Sequence, residues 1–368
     1  MRLAVCWAAL SELIPLYPLY ALLFLDTGVS GVELSVLFGL WSVTGLLAEV
    51  PAGVLADRWS RRRVLALAGV LQAAAFLLWT TVPSPAAYAV GFVVWGVAGA
   101  CSSGTAEALV HDGLAERGAV ELFGRVNGWM TAAELLVQVP TALLATGLYA
   151  LGGYAVVGWV SVAACLGAAV LALRLPEPAR TDEDDGIVPV RREVVAALRR
   201  PALLATVAAV AVVGGLDGME EYFPVLAAGH GVPTAVVPLA VLLVSLAGAA
   251  GAAAGGRLAR RGGGLPAWLL TTAGAGLLVS VALPAPAAVA VLATAYGLYL
   301  AVLVAAEAEL QRRITGPYRA TVTSVAGVGI ELGSLLVFAA WALGGPFALG
   351  LLVLAVVPVT AVGLRADR

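Results

Sequence analysis

The stretch Gly53-Val-Leu-Ala-Asp57-Arg58-Trp-Ser-Arg61-Arg62-Arg63 is a short, strongly charged segment between two long apolar runs. The runs cover residues 33–55 and 64–82, and a helix that crosses a bilayer needs about 20 apolar residues. Four arginines in so short a loop are typical of the cytoplasmic side of a membrane protein. The segment therefore predicts two membrane helices that are joined in the cytoplasm.

The composition extends this pattern to the whole chain. Of its 368 residues, 61% are hydrophobic and 12% are charged, and the mean hydropathy is +0.98, whereas soluble domains are about 45–50% apolar and about 25% charged. These values exclude a water-soluble enzyme and a disordered tail. The net charge of −2 provides no positive potential that would attract a nucleic acid. The three cysteines lie apart in apolar runs, so we expect neither a metal site nor a cofactor.

The apolar runs predict twelve spans, at 3–25, 33–55, 64–82, 87–110, 124–149, 154–173, 201–221, 235–256, 265–282, 287–308, 320–342 and 346–364. The expected fold class is an all-α integral membrane protein. If the N-terminus is cytoplasmic, all 21 basic residues, which are arginines, lie on the cytoplasmic side. This distribution predicts a multi-pass protein of the cell (inner) membrane with both termini in the cytoplasm.

The chain is expected to consist of two halves. A polar segment after span six predicts an N-terminal six-helix bundle, a cytoplasmic linker and a C-terminal six-helix bundle at 1–173, 174–200 and 201–368. Two patterns recur at nearly one offset: Arg-x-x-Arg-Arg at 58–62 and 257–261, and Ala-Glu-Ala at 106–108 and 306–308. Such repeats predict parallel halves that are related by an axis along the membrane normal.

The stretch at 53–63 resembles the loop between helices two and three of the major facilitator superfamily, which reads G-x-L-A-D-R-x-G-R-K/R. The matching positions are Gly53, Leu55, Ala56, Asp57, Arg58, Arg61 and Arg62, and Ser60 replaces the second glycine. The resemblance implies twelve helices in two six-helix bundles and secondary transport by alternating access. The segments at 49–53, 107–114 and 319–324 are similar to a bacterial branch of proposed drug exporters.

Two departures weaken the inference of an antiporter. Drug exporters of the family often carry an arginine four residues before a glycine of helix four, and the position before Gly99 is Trp95. Proton antiporters often carry G-P-x-x-G-G in helix five, and span five has no such motif.

The resemblance also implies a cytoplasmic gate. In the family, the aspartate of this loop reaches the start of helix eleven and pairs with an arginine, which assigns Asp57 and Arg319. The predicted gate comprises Gly53, Asp57, Arg58, Arg61, Asp112 and Arg319. Asp112 ends span four and is a candidate partner of Arg61, with a solvated loop acid as the alternative. The alternative for the loop arginines is a role as topology anchors.

Four glutamates lie within predicted spans, namely Glu12, Glu49, Glu134 and Glu331. Ionisable residues at membrane depth are costly and are usually functional. A buried carboxyl group without a cationic partner holds a proton more readily than one in water. We therefore predict that these four residues take part in proton coupling or substrate contact, with a role in the gate as the alternative for Glu49. For the others, the alternative is a protonated glutamate that only hydrogen-bonds to a neighbouring helix.

Aromatic and amide side chains within spans are candidates for the lining of a cavity. They are Tyr17, Trp41, Gln72, Trp95, Asn127, Gln138, Tyr296 and Tyr299, and anchoring at the membrane interface is the alternative for the aromatic ones. Asp217 and Glu220 are expected at the outer end of span seven. The GxxxG pairs at 124/128 and 251/255 predict helix packing within one chain, and we expect a monomer.

The sequence thus predicts a transporter and no enzyme. The favoured function is proton-coupled export of small, partly apolar compounds, including cations, with the substrate, protons and the lipid bilayer as partners. Two alternatives stay open. One is proton-linked uptake or facilitated diffusion of a metabolite, and the other is a carrier-derived scaffold or sensor that moves nothing.

Overall fold

The computed structural model describes residues 1–177, 200–258, 264–314 and 319–365, and these ranges contain helices and no β-strand. The α-helices are α1 Arg2–Glu12, α2 Tyr20–Asp26, α3 Gly31–Arg58, α4 Arg61–Thr81, α5 Pro85–Ser102, α6 Thr105–Ala115, α7 Phe123–Ala172, α8 Pro201–Gly215, α9 Phe223–Gly229, α10 Val237–Leu258, α11 Leu265–Ser280, α12 Ala285–Arg313 and α13 Arg319–Gly363. Most of the predicted linker at 174–200 lies outside the described residues.

The helices account for all twelve predicted spans. Eight helical stretches of the described chain are long and apolar enough to cross a membrane. Two of these, Val120–Ala172 and Thr321–Gly363, contain a sharp kink and correspond to two spans each. The shorter α11 is another span, and α1 and α2 together form the first. The all-α membrane fold is therefore confirmed.

The two kinks have the same sequence and the same backbone. Ala-Leu-Gly-Gly occurs at 150–153 and again at 342–345. The second glycine of each pair has a positive φ: Gly153 has φ 60° and ψ −154°, and Gly345 has φ 56° and ψ −143°. This region is nearly closed to residues with a Cβ atom. The kinks are thus a further internal repeat, which the sequence analysis missed.

Three predicted spans are not continuous α-helices. Residues 13–19 separate α1 from α2, Ser103 and Gly104 separate α5 from α6, and the 3₁₀ segment Leu216–Tyr222 separates α8 from α9. The spans predicted at 3–25 and 87–110 are thus each built from two shorter helices. Span seven also continues to Gly229, eight residues beyond its predicted end at 221. Hydropathy does not detect such breaks, because the interrupted segments remain apolar.

The chain forms two compact units. The first comprises the described residues within 1–30, 40–183 and 233–239, and the second comprises those within 31–39, 184–232 and 240–368. Buried residues of the first unit cluster around Trp7 and Leu65, and those of the second cluster around Val210 and Leu310. The units differ from the predicted bundles by the assignment of 31–39 and 233–239, and the predicted division stays a proposal.

One of the two GxxxG pairs lies at a close helix contact. A Cβ atom on Gly251 of α10 would be 1.8 Å from the carbonyl oxygen of Gly297 in α12, whereas a Cβ atom on Gly124 or Gly128 would meet nothing within 4 Å. Gly251 therefore permits α10 and α12 to approach each other within the second unit. The pair in α7 does not act in this way among the described residues.

Candidate functional site

The first unit contains a cavity of about 440 Å³ between α1, α3, α4, α5, α6 and α7. Its volume lies within the range of about 300–1,000 Å³ that is usual for small-molecule sites. Six residues predicted from the sequence line it: Glu12, Tyr17, Trp41, Gln72, Trp95 and Glu134. Helix packing thus brings together candidates that are up to about 120 residues apart in the chain.

The break in the first span positions Glu12. This residue ends α1, and the next residues include Pro15 and Pro18, which cannot donate a backbone hydrogen bond. The N–H group of Leu16 donates instead to the Ser161 hydroxyl at 3.0 Å. Discontinuous helices are typical of the binding sites of transporters, because they direct backbone and side-chain groups into the cavity.

A second break contributes to the same cavity. Gly104 has φ +67°, a left-handed conformation that favours glycine, and it separates α5 from α6. Ser102, Ser103 and Gly104 all line the cavity, and so does Glu107 in the first turn of α6. The sequence analysis did not include Glu107 among its cavity residues. The sequence analysis did not detect the break between α5 and α6, which is the feature that places Glu107 at the cavity.

The cavity concentrates negative charge. Glu134 lies close enough to Glu12 and Glu107 for electrostatic repulsion between the carboxylates. The residues that line the cavity include no arginine or histidine. Such a site favours protons or a cationic group over an anion.

Three aromatic rings form a stack beside these carboxyl groups. The ring centroids of Trp41 and Trp95 are 5.0 Å apart with an interplanar angle of 25°, and those of Trp95 and Tyr17 are 5.7 Å apart with an angle of 22°. Gln72 donates a hydrogen bond of 2.7 Å from its amide to the Tyr17 hydroxyl, which fixes the outermost ring. The stack offers aromatic faces and edges to an apolar or cationic ligand.

The charged loop after α3 holds an ion-pair cluster in the same unit. Arg61 pairs with Asp112 at the end of α6 and lies 3.6 Å from the carboxylate of Asp57. His111 is 3.1 Å from Asp112. Asp57 has an exposed side chain, and Gly53 and Arg58 are exposed as well. The loop therefore connects α3, α4 and α6.

Ser60, which replaces the second glycine of the family motif, has two contacts of its own. Its hydroxyl accepts a hydrogen bond from the N–H group of Arg63 at 3.3 Å and so caps α4. It also donates to Glu177 at 2.5 Å, and Arg62 lies 3.3 Å from the same carboxylate. The substitution thus ties the end of the first six spans to the loop.

The remaining predicted residues lie elsewhere. Arg319 donates hydrogen bonds to the backbone and side-chain oxygens of Gln311 at 3.0 and 2.9 Å, and its pairing with Asp57 stays a prediction. Six candidates are not part of the cavity lining: the exposed Glu49 and Glu331, the half-buried Asn127 and Gln138, and the buried Tyr296 and Tyr299 of the second unit.

The second unit has an acidic cluster that the sequence analysis missed. The hydroxyl of Tyr296 in α12 lies 3.1 Å from Asp217 and also contacts Glu220. Tyr299 lies one turn further along α12, with its hydroxyl 3.4 Å from Asp217. These acids were expected at the outer end of span seven. They lie inside it because the 3₁₀ segment continues into α9. The glycines at 214, 215 and 218, followed by Pro224, were the available signal.

Comparison with known proteins agrees with this architecture. Residues 3–338 match the family model described as Major Facilitator Superfamily. No curated protein matches the chain in sequence.

Three solved structures of low sequence identity share the fold over nearly the whole chain. A D-xylose–proton symporter is 12% identical, with a TM-score of 0.74 and coverage of 98% of this chain and 97% of the other. The nucleoside transporter NupG is 15% identical, with a TM-score of 0.70 and the same coverages. A bacterial homologue of the iron transporter ferroportin is 17% identical, with a TM-score of 0.71 and coverages of 98% and 95%.

These neighbours differ in what they carry, and at such identities they establish the fold alone. The family model, in contrast, covers most of the sequence, including the charged loop at 53–63 and the cavity of the first unit. The chain therefore belongs to the Major Facilitator Superfamily and is a multi-pass membrane transporter rather than an enzyme.

Proposed function

We propose that the protein is a proton-coupled exporter of small, partly apolar organic cations. The observation that carries this proposal is the cavity of the first unit, where three glutamates adjoin a stack of aromatic rings and no basic residue contributes to the lining. We place the protein in the cell membrane, with both termini and the 174–200 linker in the cytoplasm.

The aromatic stack supports a preference for a flat or cationic ligand. A cation over the face of tryptophan or tyrosine gains about 0.5–2 kcal/mol of binding free energy, and the gain is larger where water is excluded. Trp41 stacks on Trp95 and lines the cavity, so we take its ring as the surface that a ligand would contact. We therefore expect Trp41→Leu to weaken binding of an aromatic cation about 2- to 30-fold.

The carboxyl groups support exchange between the substrate and protons. A cation about 4 Å from a carboxylate gains about 4 kcal/mol at an effective dielectric constant of 20. The same carboxylate binds a proton when no cation is present, because burial and the neighbouring Glu134 disfavour the ionised form. A proton and a cationic substrate then compete for Glu12, and this competition is the basis of coupling in the proposal.

Alternating access would proceed by movements of the two six-helix bundles that expose the substrate site to each side of the membrane in turn. We propose Gly53, Asp57, Arg58, Arg61, Asp112 and Arg319 as the cytoplasmic gate. The Arg61 cluster supports this proposal, because the half-buried Arg61 joins three helices of the first unit through the exposed carboxylates of Asp57 and Asp112.

A transport panel on purified protein in liposomes tests the proposed function. The probes are ethidium as an aromatic cation, and uridine and D-xylose as uncharged compounds of the classes named for two structural neighbours. We expect an imposed pH gradient to drive accumulation of ethidium and neither of the uncharged compounds. Gradient-driven accumulation of uridine or D-xylose without ethidium transport would favour metabolite uptake, and no flux of any probe would leave the exporter proposal without support.

A further inference from the structure

One tyrosine hydroxyl contacts both acids of the acidic cluster in the second unit. Tyr296 is 3% exposed, and its hydroxyl touches Glu220 and Asp217 at the same time. A tyrosine hydroxyl has one hydrogen to donate. If both carboxylates were ionised, each would need that hydrogen as a donor. Only one could accept it, and the other would face a lone pair of the tyrosine oxygen. The arrangement is satisfied when one of the two carboxyl groups carries a proton.

Tyr299 provides a second observation at the same place. It is 1% exposed, and its hydroxyl points toward the pair. The acceptors that it reaches are Asp217 at 3.4 Å and the Gly214 carbonyl at 3.5 Å, whereas an ordinary O–H···O bond is about 2.7–2.8 Å. Among the described residues, this buried hydroxyl therefore has no hydrogen bond of ordinary length, and it remains available to the carboxyl group of Asp217.

We propose that Asp217, Glu220 and Tyr296 bind one exchangeable proton, which forms a protonation site in the second unit that is separate from Glu12. Glu220 is exposed at the surface of its unit and Asp217 is half-buried, so the three groups form a path from that surface to the interior. The proton enters at the Glu220 carboxyl group and is shared with Asp217 through the Tyr296 hydroxyl. No oxidant or further reactant is involved.

A proton fits this site better than a metal ion. The carboxyl groups of Asp217 and Glu220 are in direct contact with the Tyr296 hydroxyl, an arrangement that one shared proton satisfies. The described part of the chain also contains no group of three or more His, Cys, Asp or Glu side chains that could hold a metal.

The charged surroundings favour retention of the proton. Glu221 lies on the same 3₁₀ segment and acts electrostatically on Glu220, and Asp217 acts on Glu307 of α12. The charged residue of the adjoining α13 near this depth is Glu331. Asp217 and Glu220 form no ion pair with an arginine of the described segments.

Infrared pH-difference spectra of the purified full-length protein test the proposal without any substrate. The measured quantity is the carbonyl band of protonated carboxyl groups at neutral pH, recorded in a Glu12→Gln background so that Glu12 does not contribute. We expect Asp217→Asn and Glu220→Gln each to remove one protonated carboxyl group, because the remaining acid then accepts the Tyr296 hydrogen and ionises. Glu221→Gln, the matched control, should retain the band.

Three outcomes decide the matter. Retention of the full band in both Asp217→Asn and Glu220→Gln would overturn the proposal, and so would loss of the band on addition of sodium alone. If Asp217→Asn does not elute as a monodisperse protein, Asp217→Glu and Tyr296→Phe take its place. The former should keep the band, and the latter should shift the pH at which it disappears, whereas an unchanged midpoint in Tyr296→Phe would contradict the shared proton. Because no transport is measured, failure here is distinguishable from failure of the proposed function.

Discussion

Replacing Arg313 with glutamine is expected to lower the free energy of unfolding by about 3–5 kcal/mol. The guanidinium group is 10% exposed and pairs at 2.5 Å with Glu309, which is equally buried. It also donates to the carbonyl oxygens of Ala202 at 3.0 Å and Gly363 at 3.3 Å. The end of α12 is thereby joined to the start of α8 and to the end of α13, and the Gly363 carbonyl lies in the last turn of α13, where helix carbonyls have no partner within their own helix.

The expected magnitude follows from what the substitution leaves behind. Glutamine is too short to reach the carbonyl groups of α13, and Glu309 becomes a buried carboxylate without its buried cation. Loss of one member of a buried ion pair costs about 3–5 kcal/mol, whereas replacement of both members by apolar residues is often close to neutral. The double variant Glu309→Leu/Arg313→Met should therefore lose less stability than Arg313→Gln alone.

Arg312 provides a matched control, because it pairs with the same Glu309 but is 63% exposed. Arg312→Gln should cost no more than about 1 kcal/mol. Equilibrium denaturation in mixed detergent micelles, followed by tryptophan fluorescence, compares the variants. Equal losses below about 1 kcal/mol for Arg312→Gln and Arg313→Gln would refute the reasoning from burial.

Three further expectations concern the gate, the kinks and the topology. Asp57→Asn should slow transport several-fold at unchanged expression. Loss of an ion pair worth up to about 1 kcal/mol shifts a near-balanced conformational equilibrium several-fold, and initial transport rates in liposomes measure the effect. Gly153→Ala should lower stability by about 1–3 kcal/mol because of its positive φ, while Gly124→Ala, where a Cβ atom meets nothing within 4 Å, should not; denaturation in detergent compares the two. Single cysteines at Thr27 and His230 in a cysteine-free variant should react from outside intact cells with a thiol reagent that cannot cross the membrane.

Each of these expectations has a contrary result. Wild-type turnover in both Asp57→Asn and Arg319→Gln would exclude the gate pairing. Equal stability of Gly153→Ala and Gly124→Ala would show that the kink tolerates a side chain. Labelling of a cysteine at position 183 in intact cells would contradict the cytoplasmic linker.

Apolar length and arginine placement were sufficient to predict the helical class and the twelve spans, because both follow from the cost of moving polar groups into lipid. The same reasoning identified Glu12 and Glu134 as costly charges at membrane depth. The structure brings both to one cavity with Tyr17 and Trp95. Whether these residues bind a substrate stays a prediction.

What the sequence did not predict depends on local backbone geometry and on long-range pairing. Hydropathy ended span seven at 221, so Asp217 and Glu220 were assigned to its outer end, although the 3₁₀ segment carries the chain on into α9. Arg313 was counted as one of many cytoplasmic arginines. Its burial against Glu309, at a point where the ends of three helices meet, is visible only in the folded structure. The helix breaks beside Glu12 and Glu107 were likewise not detectable from apolar periodicity.

The most direct test of the central claim compares two modes of transport in Glu12→Gln liposomes. The claim is that Glu12 exchanges a proton for the substrate, and glutamine imitates the permanently protonated side chain. With the transported probe of the panel, we expect accumulation driven by a pH gradient to be abolished while exchange of labelled for unlabelled probe continues. The control Glu121→Gln, which changes an exposed acid in the 3₁₀ turn Val120–Leu122, should retain both modes. Accumulation by Glu12→Gln against a concentration gradient, with unchanged pH dependence, would contradict the account.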